Sequence, residues 1–235
     1  LGSTNVYTSL QYLPHFMNFT TSAPVLTVGG NLILTNGGSL YMIAGVTNSS
    51  TAAYGGLIDV DGDVRIGPNG WIYPFSNPTN GGSVLMRTKN LYLAATANCG
   101  INADQKGFAG GWDRPGYGPG KATYGGGGYG GAGGDGSIGG GGPTNGNSLY
   151  PTYPGSGGGG WDPRIIMEGG NGGGLVWIEV DQVAELNGTI TANGRVPGIN
   201  YSSAGSGGGI NISCLVLSGL ATGRLRAEGG YGDAY

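Results

Sequence analysis

Few residues in this chain offer chemistry. One histidine, His15, stands between Pro14 and Phe16, so any Ser-His-Asp or Cys-His nucleophile system would have to use it. No Gly-x-Ser-x-Gly elbow lies between a strand pattern and a helix pattern; Gly205-Ser206-Gly207 reads as a loop between strands. The densest acidic cluster is Asp59-Val60-Asp61-Gly62-Asp63. Carboxylates around a tight glycine turn are what Ca²⁺ takes as ligands, which makes Asp59, Asp61 and Asp63 a Ca²⁺ candidate. The chain then runs Val64-Arg65-Ile66-Gly67, without the closing glutamate of an EF-hand, and in a strand the three carboxylates share a solvent face. Asp59 and Asp61, with a residue on a neighbouring coil such as Arg87, could serve a polysaccharide lyase or hydrolase, since glycoside hydrolysis needs two carboxyl groups about 5–10 Å apart. The spacing does not demand it, and the expectation is a protein that is not an enzyme.

Two near-copies bring tryptophan, a carboxylate and arginine together: Gly111-Trp112-Asp113-Arg114-Pro115 and Gly160-Trp161-Asp162-Pro163-Arg164. Indole faces beside such hydrogen bonders make a sugar platform; equally, the indoles could pin a loop to the body of the protein. Cys99 and Cys214 form an even pair, open to one disulfide in an oxidising compartment or to two free thiols. Asn-x-Ser/Thr occurs at Asn18, Asn48, Asn187, Asn200 and Asn211, and Asn187 and Asn200 stand beside glycine-rich turns suited to glycans.

These residues sit in an unusual composition. Of 235 residues 56 are glycine, and only 10% are charged. Each glycine inside a helix costs about 1 kcal/mol relative to alanine, which excludes a helical bundle. The glycines cluster instead of recurring every third residue, which excludes collagen. Ten Lys+Arg against 13 Asp+Glu, a net charge of -3, speak against nucleic acid as a partner. The longest apolar runs are short, as in Leu175-Val176-Trp177-Ile178, so no membrane span is expected.

The elements that must position the candidates repeat. Gly-Gly followed by alternating apolar residues begins at Gly29, Gly55 and Gly81, 26 residues apart, and returns at Gly173 and Gly208. A second element reads Ile101-Asn102-Ala103-Asp104, Ile190-Thr191-Ala192-Asn193-Gly194 and Leu225-Arg226-Ala227-Glu228-Gly229. Period-two alternation marks strands with one buried face, and the inward alanine marks a narrow place in the core. Equal spacing predicts an all-β parallel β-solenoid (β-helix) with coils near 29, 55, 81, 173 and 208; a β-sandwich is the alternative. Residues 1–28 are expected to be an N-terminal cap or a donated strand, and residues 29–235 the solenoid domain.

Between the third and fourth copies, residues 107–172 form a glycine-rich insertion punctuated by aromatic residues from Phe108 to Trp161. Its expected form is a compact ordered loop with polyglycine or polyproline II character. The runs Gly118-Pro119-Gly120, Tyr124 to Gly134, Pro154 to Gly158 and Gly169 to Gly174 resemble glycine-rich secreted surface proteins, themselves similar to parallel β-helix adhesins and matrix proteins. The resemblance covers about residues 81–230, implies an extracellular or cell-surface scaffold, and carries no catalytic residues over. The expected role is a structural subunit of a fibre, sheath or adhesive layer whose partner is another copy of itself. A carbohydrate-binding adhesin, with glycans as partners, is the alternative.

Overall fold

The computed structural model describes residues 24–47, 54–112, 115–136, 139–147, 149–160, 168–197 and 202–231. The described residues contain no helix, and their named strands pair in parallel. An eight-stranded sheet holds β1 (Val25–Val28), β4 (Gly56–Ile66), β6 (Val84–Leu93), β8 (Leu175–Val180) and β11 (Gly209–Ser213) in that order. In the same sheet β2 (Leu32–Leu34) pairs with the second half of β4, while β9 (Val183–Leu186) lies between β6 and β12 (Val216–Ser218). The second sheet orders β3 (Ser39–Ile43), β5 (Trp71–Phe75), β7 (Gly100–Asn102), β10 (Thr189–Thr191) and β13 (Arg224–Arg226). The chain passes from the first sheet to the second and back, one strand further along each time.

Parallel register lines up like residues into columns. Leu26, Ile58, Met86, Ile178 and Ile212 form one, and Leu32, Val64, Leu91, Ala184 and Leu217 a second. Leu40, Ile72, Ile101, Ile190 and Leu225 form a third, in the other sheet. The middle members of all three are buried in one cluster. Burying a Leu or Ile stabilises by about 1.5–3 kcal/mol, so these columns supply most of the attraction that orders the strands.

The second repeated element falls in register as expected, Ile101 opposite Ile190 opposite Leu225. Ala103 and Ala192 are fully buried, and the place is narrow because a glycine backbone runs against it: a Cβ on Gly174 would stand 3.0 Å from the Ala103 Cβ. The glycine pairs are not in phase: Leu57 faces Leu85, so the copies at Gly55 and Gly81 stand two residues out of step, and the first copy is further out. Gly29-Gly30 lies between β1 and β2 beside Asp61 and Gly62, with Gly62 N–H donating to Gly30 O at 3.0 Å. The strand preceding it, Val25–Val28, is the one that pairs with Leu57–Val60. The equal spacing of the first three copies therefore does not mark equivalent positions, and the boundary expected at residue 28 falls at the end of a strand of the main sheet. Residues 1–23 of that expected segment lie outside the described residues.

The glycine-rich insertion adopts a third kind of order. Residues 155–159 bond through their backbone to five other segments, 107–111, 116–118, 125–128, 169–173 and 203–208. A strand has neighbours on two sides only. The bonds repeat every third residue: Gly155 and Gly158 donate to Gly173 and Gly170 at 2.8 and 2.9 Å, and their own carbonyls accept from Phe108 and Gly111 at 3.0 and 2.8 Å. The Ser156 and Gly159 carbonyls likewise accept from Ser206 and Ser203. Three residues per turn without internal hydrogen bonds is the polyproline II repeat, which sends backbone groups out in three directions. The expected polyglycine character is thus present as an array of packed segments, not as a loop laid on the sheets. Gly205, Ser206 and Gly207 belong to it, and Ser206 Oγ accepts from Ser156 N–H at 2.8 Å.

Glycine is required at the inner positions because the segments approach within touching distance. A Cβ on Gly157 would collide with the carbonyl of Ala109, and one on Gly158 with that of Ala204. On the exposed rim, nothing lies within 4 Å of a Cβ built on Gly131. Gly157→Ala is therefore expected to destabilise by several kcal/mol and Gly131→Ala by less than about 0.5 kcal/mol. Thermal unfolding of the two variants checks this.

Candidate functional site

The sequence Trp71-Ile72-Tyr73-Pro74-Phe75 alternates on β5: Ile72 and Pro74 turn to the core, and the three aromatic rings turn outward. Tyr41 of β3 lies opposite Tyr73, and their rings stack at 4.7 Å between centroids with planes 12° apart. Trp71 and Tyr73 stand 6.3 Å apart on one strand, and Tyr41 and Phe75 stand 6.4 Å apart across strands. Rings stacked from strand to strand in this way present their edges to solvent, and such pairs stabilise by about 0.5–1.5 kcal/mol beyond their buried area. Sequence reading passed over this ladder, although the alternation that produces it was visible.

Lys106 closes the ladder on the β7 side. Ser76 N–H donates to the Lys106 carbonyl at 2.9 Å, which brings residue 106 alongside the end of β5. The ammonium stands 5.3 Å from the Tyr73 ring centre and 5.0 Å from that of Phe75. It donates to Asn102 Oδ1 at 3.2 Å and to the Asp104 carbonyl at 3.0 Å. Burial behind these rings lowers its pKa to about 8, against a smaller upward pull from Asp104. Asn102 Oδ1 also accepts from Asp104 N–H at 3.0 Å, and Asn102 Nδ2 donates to Asp104 Oδ2 at 3.4 Å. The other carboxylate oxygen of Asp104 accepts from Asn193 N–H at 2.7 Å. An amine, a primary amide and a carboxylate thus meet at one shielded corner.

Of the tryptophan motifs, Trp112 is described and 41% exposed, in an isolated antiparallel bridge with Glu168. Asp113, Arg114, Trp161, Asp162 and Arg164 lie outside the described residues. Glu168 is the partner of Arg195, at 3.2 Å.

Asp59, Asp61 and Asp63 do not converge. Asp59 lies opposite Arg87, which is bound to Glu179 at 2.8 Å, so this column is a row of opposite charges. Asp63 is taken up by Arg65 at 2.6 Å and by the Asn90 amide at 2.8 Å. Between them the strand bulges: Asp61 and Gly62 together face the single residue Lys89. No group of three metal-ligating side chains occurs among the described residues.

Cys99 and Cys214 are free thiols. Of the two states the sequence leaves open, the free thiols are the one present, for a geometric reason. Cys99 precedes β7 in the second sheet, whereas Cys214 follows β11 in the first, two strands further along. Strands so placed are about 10 Å apart, beyond the ~7 Å at which two Cα atoms can be bridged. Cys99 is buried, which raises its pKa, with its Sγ directed at the Ala94 carbonyl.

Asn187 is buried and both ends of its amide are used, Nδ2 to Glu185 and Oδ1 from Leu220 N–H at 2.6 Å. A glycan there would displace the folded contacts, so this sequon is a poor acceptor in the folded chain. Asn211 is half-buried and donates to the Pro151 carbonyl. Asn18, Asn48 and Asn200 lie outside the described residues. Comparison with protein-family models, with curated proteins and with solved structures finds no match for this chain.

The Asp63 pKa is lowered chiefly by the hydrogen bond from Asn90, then by that from Arg65. A depressed carboxylate contributes stability above its unfolded pKa that is lost as pH falls through the folded value. Asn90→Ala also strands Val183 N–H, which donates to Asn90 Oδ1 at 3.1 Å. The variant is expected to lose about 1–3 kcal/mol of stability. Its Asp63 resonance, followed by NMR titration, is expected to move up toward the ordinary carboxylate pKa.

Proposed function

We propose that this chain is a structural module of an extracellular or cell-surface assembly, a subunit of a fibre, sheath or adhesive layer. In this reading its sheets are the faces of a parallel β-solenoid and its glycine array is a stiff block fused to one side. The observation that carries it is the edge formed by β11, β12 and β13. There, among the described residues, the apolar columns end in the open: Leu217 is 66% exposed and Leu225 53%, with Leu215, Val216 and Leu220 exposed beside them. Unpaired parallel edges backed by apolar side chains recruit further strands. The occupant whose chemistry fits is the β1–β2–β3 edge of a second copy, because Leu26, Leu32 and Leu40 begin the same columns that Ile212, Leu217 and Leu225 end. Head-to-tail contact of unlike ends continues indefinitely and makes filaments.

A carbohydrate-binding adhesin is the second reading. The exposure of Trp112, Tyr117 and Tyr124 on the glycine array favours it, since glycine backbone is too short to bury rings placed at its rim.

Electron microscopy and sedimentation of the native chain test the assembly. Filaments that disappear in the double variant Leu217→Lys, Leu225→Lys, with β-sheet circular dichroism retained, are the expected result. Dispersed monomers of the unaltered chain at its highest soluble concentration would overturn it.

A further inference from the structure

The corner at the end of β7 holds a nucleophile against an acyl group with a carboxylate beside the leaving atom. We propose that Lys106 and Asn102 are a site of spontaneous covalent modification: an intramolecular isopeptide bond from Lys106 Nζ to Asn102 Cγ, formed with loss of ammonia and assisted by Asp104. This inference stands on the corner itself and does not depend on the assembly reading.

The amine, the acyl carbon, the oxyanion donor and a carboxylate at the leaving nitrogen are in place. The amine lies 3.2 Å from Asn102 Oδ1, so the two reacting side chains are already in contact. Effective concentrations for groups held together in this way far exceed those in solution. Tyr73 and Phe75 shield the amine from water, and the resulting pKa of about 8 leaves a usable fraction of neutral nucleophile at neutral pH. Asp104 N–H, 3.0 Å from Asn102 Oδ1, stabilises the negative charge that develops on that oxygen during attack. Asp104 Oδ2 stands at the departing nitrogen, with Oδ1 fixed by Asn193 N–H.

The atoms balance without any co-reactant. Lys106, having given one proton to solvent, attacks Asn102 Cγ and forms the new C–N bond. The Cγ–Nδ2 bond breaks, and the second amine proton passes to solvent while the Asp104 carboxylate, protonated from solvent, hands a proton to Nδ2, which leaves as ammonia. Nothing is oxidised or reduced. The product ties the end of β7 to residue 106 across Gln105, which has a φ of 59°, at the point where the chain enters the glycine array.

Intact-mass measurement and tryptic mapping of the purified full chain test it. The expected mass is lighter than the sequence by about 17 Da, the ammonia lost when the lysine amine is acylated. Trypsin is expected to leave residues 90–121 as one peptide carrying that deficit, instead of cutting after Lys106. Asn102→Ala and Lys106→Arg are each expected to remove the deficit, and Asp104→Ala to slow its appearance at least tenfold. Full mass with cleavage after Lys106 would overturn the proposal. So would the same deficit with cleavage after Lys106 intact, because that signals a succinimide at asparagine instead of a cross-link.

Discussion

The structure depends on how closely polypeptide backbones can approach when no side chain separates them. At the centre of the glycine array, residues 155–159 are buried and hydrogen-bonded to five neighbouring segments. Each ordered residue costs about 1–2 kcal/mol of backbone entropy, and glycine loses more than any other. A net return of about 1 kcal/mol per hydrogen bond barely offsets that cost. Such an array holds only if nearly every amide is bonded at once and the block is anchored to something with its own core.

The sheets are that anchor. Gly174 N–H donates to the Ala103 carbonyl and Gly208 N–H to the Ala192 carbonyl, both at 2.7 Å, directly after the buried strands β7 and β10. Ala103 and Ala192 are small because the glycine segments must reach their backbones. The same residues therefore serve two kinds of order, the apolar columns on one side and the period-three network on the other. Lys106 sits at this junction, which is why its amine is shielded although it lies in a turn.

Much of this was legible in the residues. Alternation in Leu57 to Val60 and in Leu175 to Val180 marked strands, and the Ile-x-Ala element marked a second stack with a narrow waist. The Trp71-Tyr73-Phe75 ladder was equally visible as every second residue of a strand. The phase of the glycine pairs was not, because Gly29-Gly30, Gly55-Gly56 and Gly81-Gly82 look alike while lying at different register positions. Nor were the neighbours of the glycine segments, since a run without side chains carries no mark of its partner. The Asn102, Asp104 and Lys106 corner is a short polar stretch in sequence, and only the packing of Tyr73 and Phe75 against it makes the amine special. The state of the cysteine pair stayed open in the sequence because even number says nothing of distance.

Amide hydrogen exchange of the native full chain tests the central claim most directly. The Gly155, Gly158, Gly170 and Gly173 amides are expected to exchange as slowly as those of Val64 and Ile178 in the buried strands, and to be released together with them on unfolding. Exchange of these glycine amides at the rate of an open loop, while the strand amides stay protected, would contradict it.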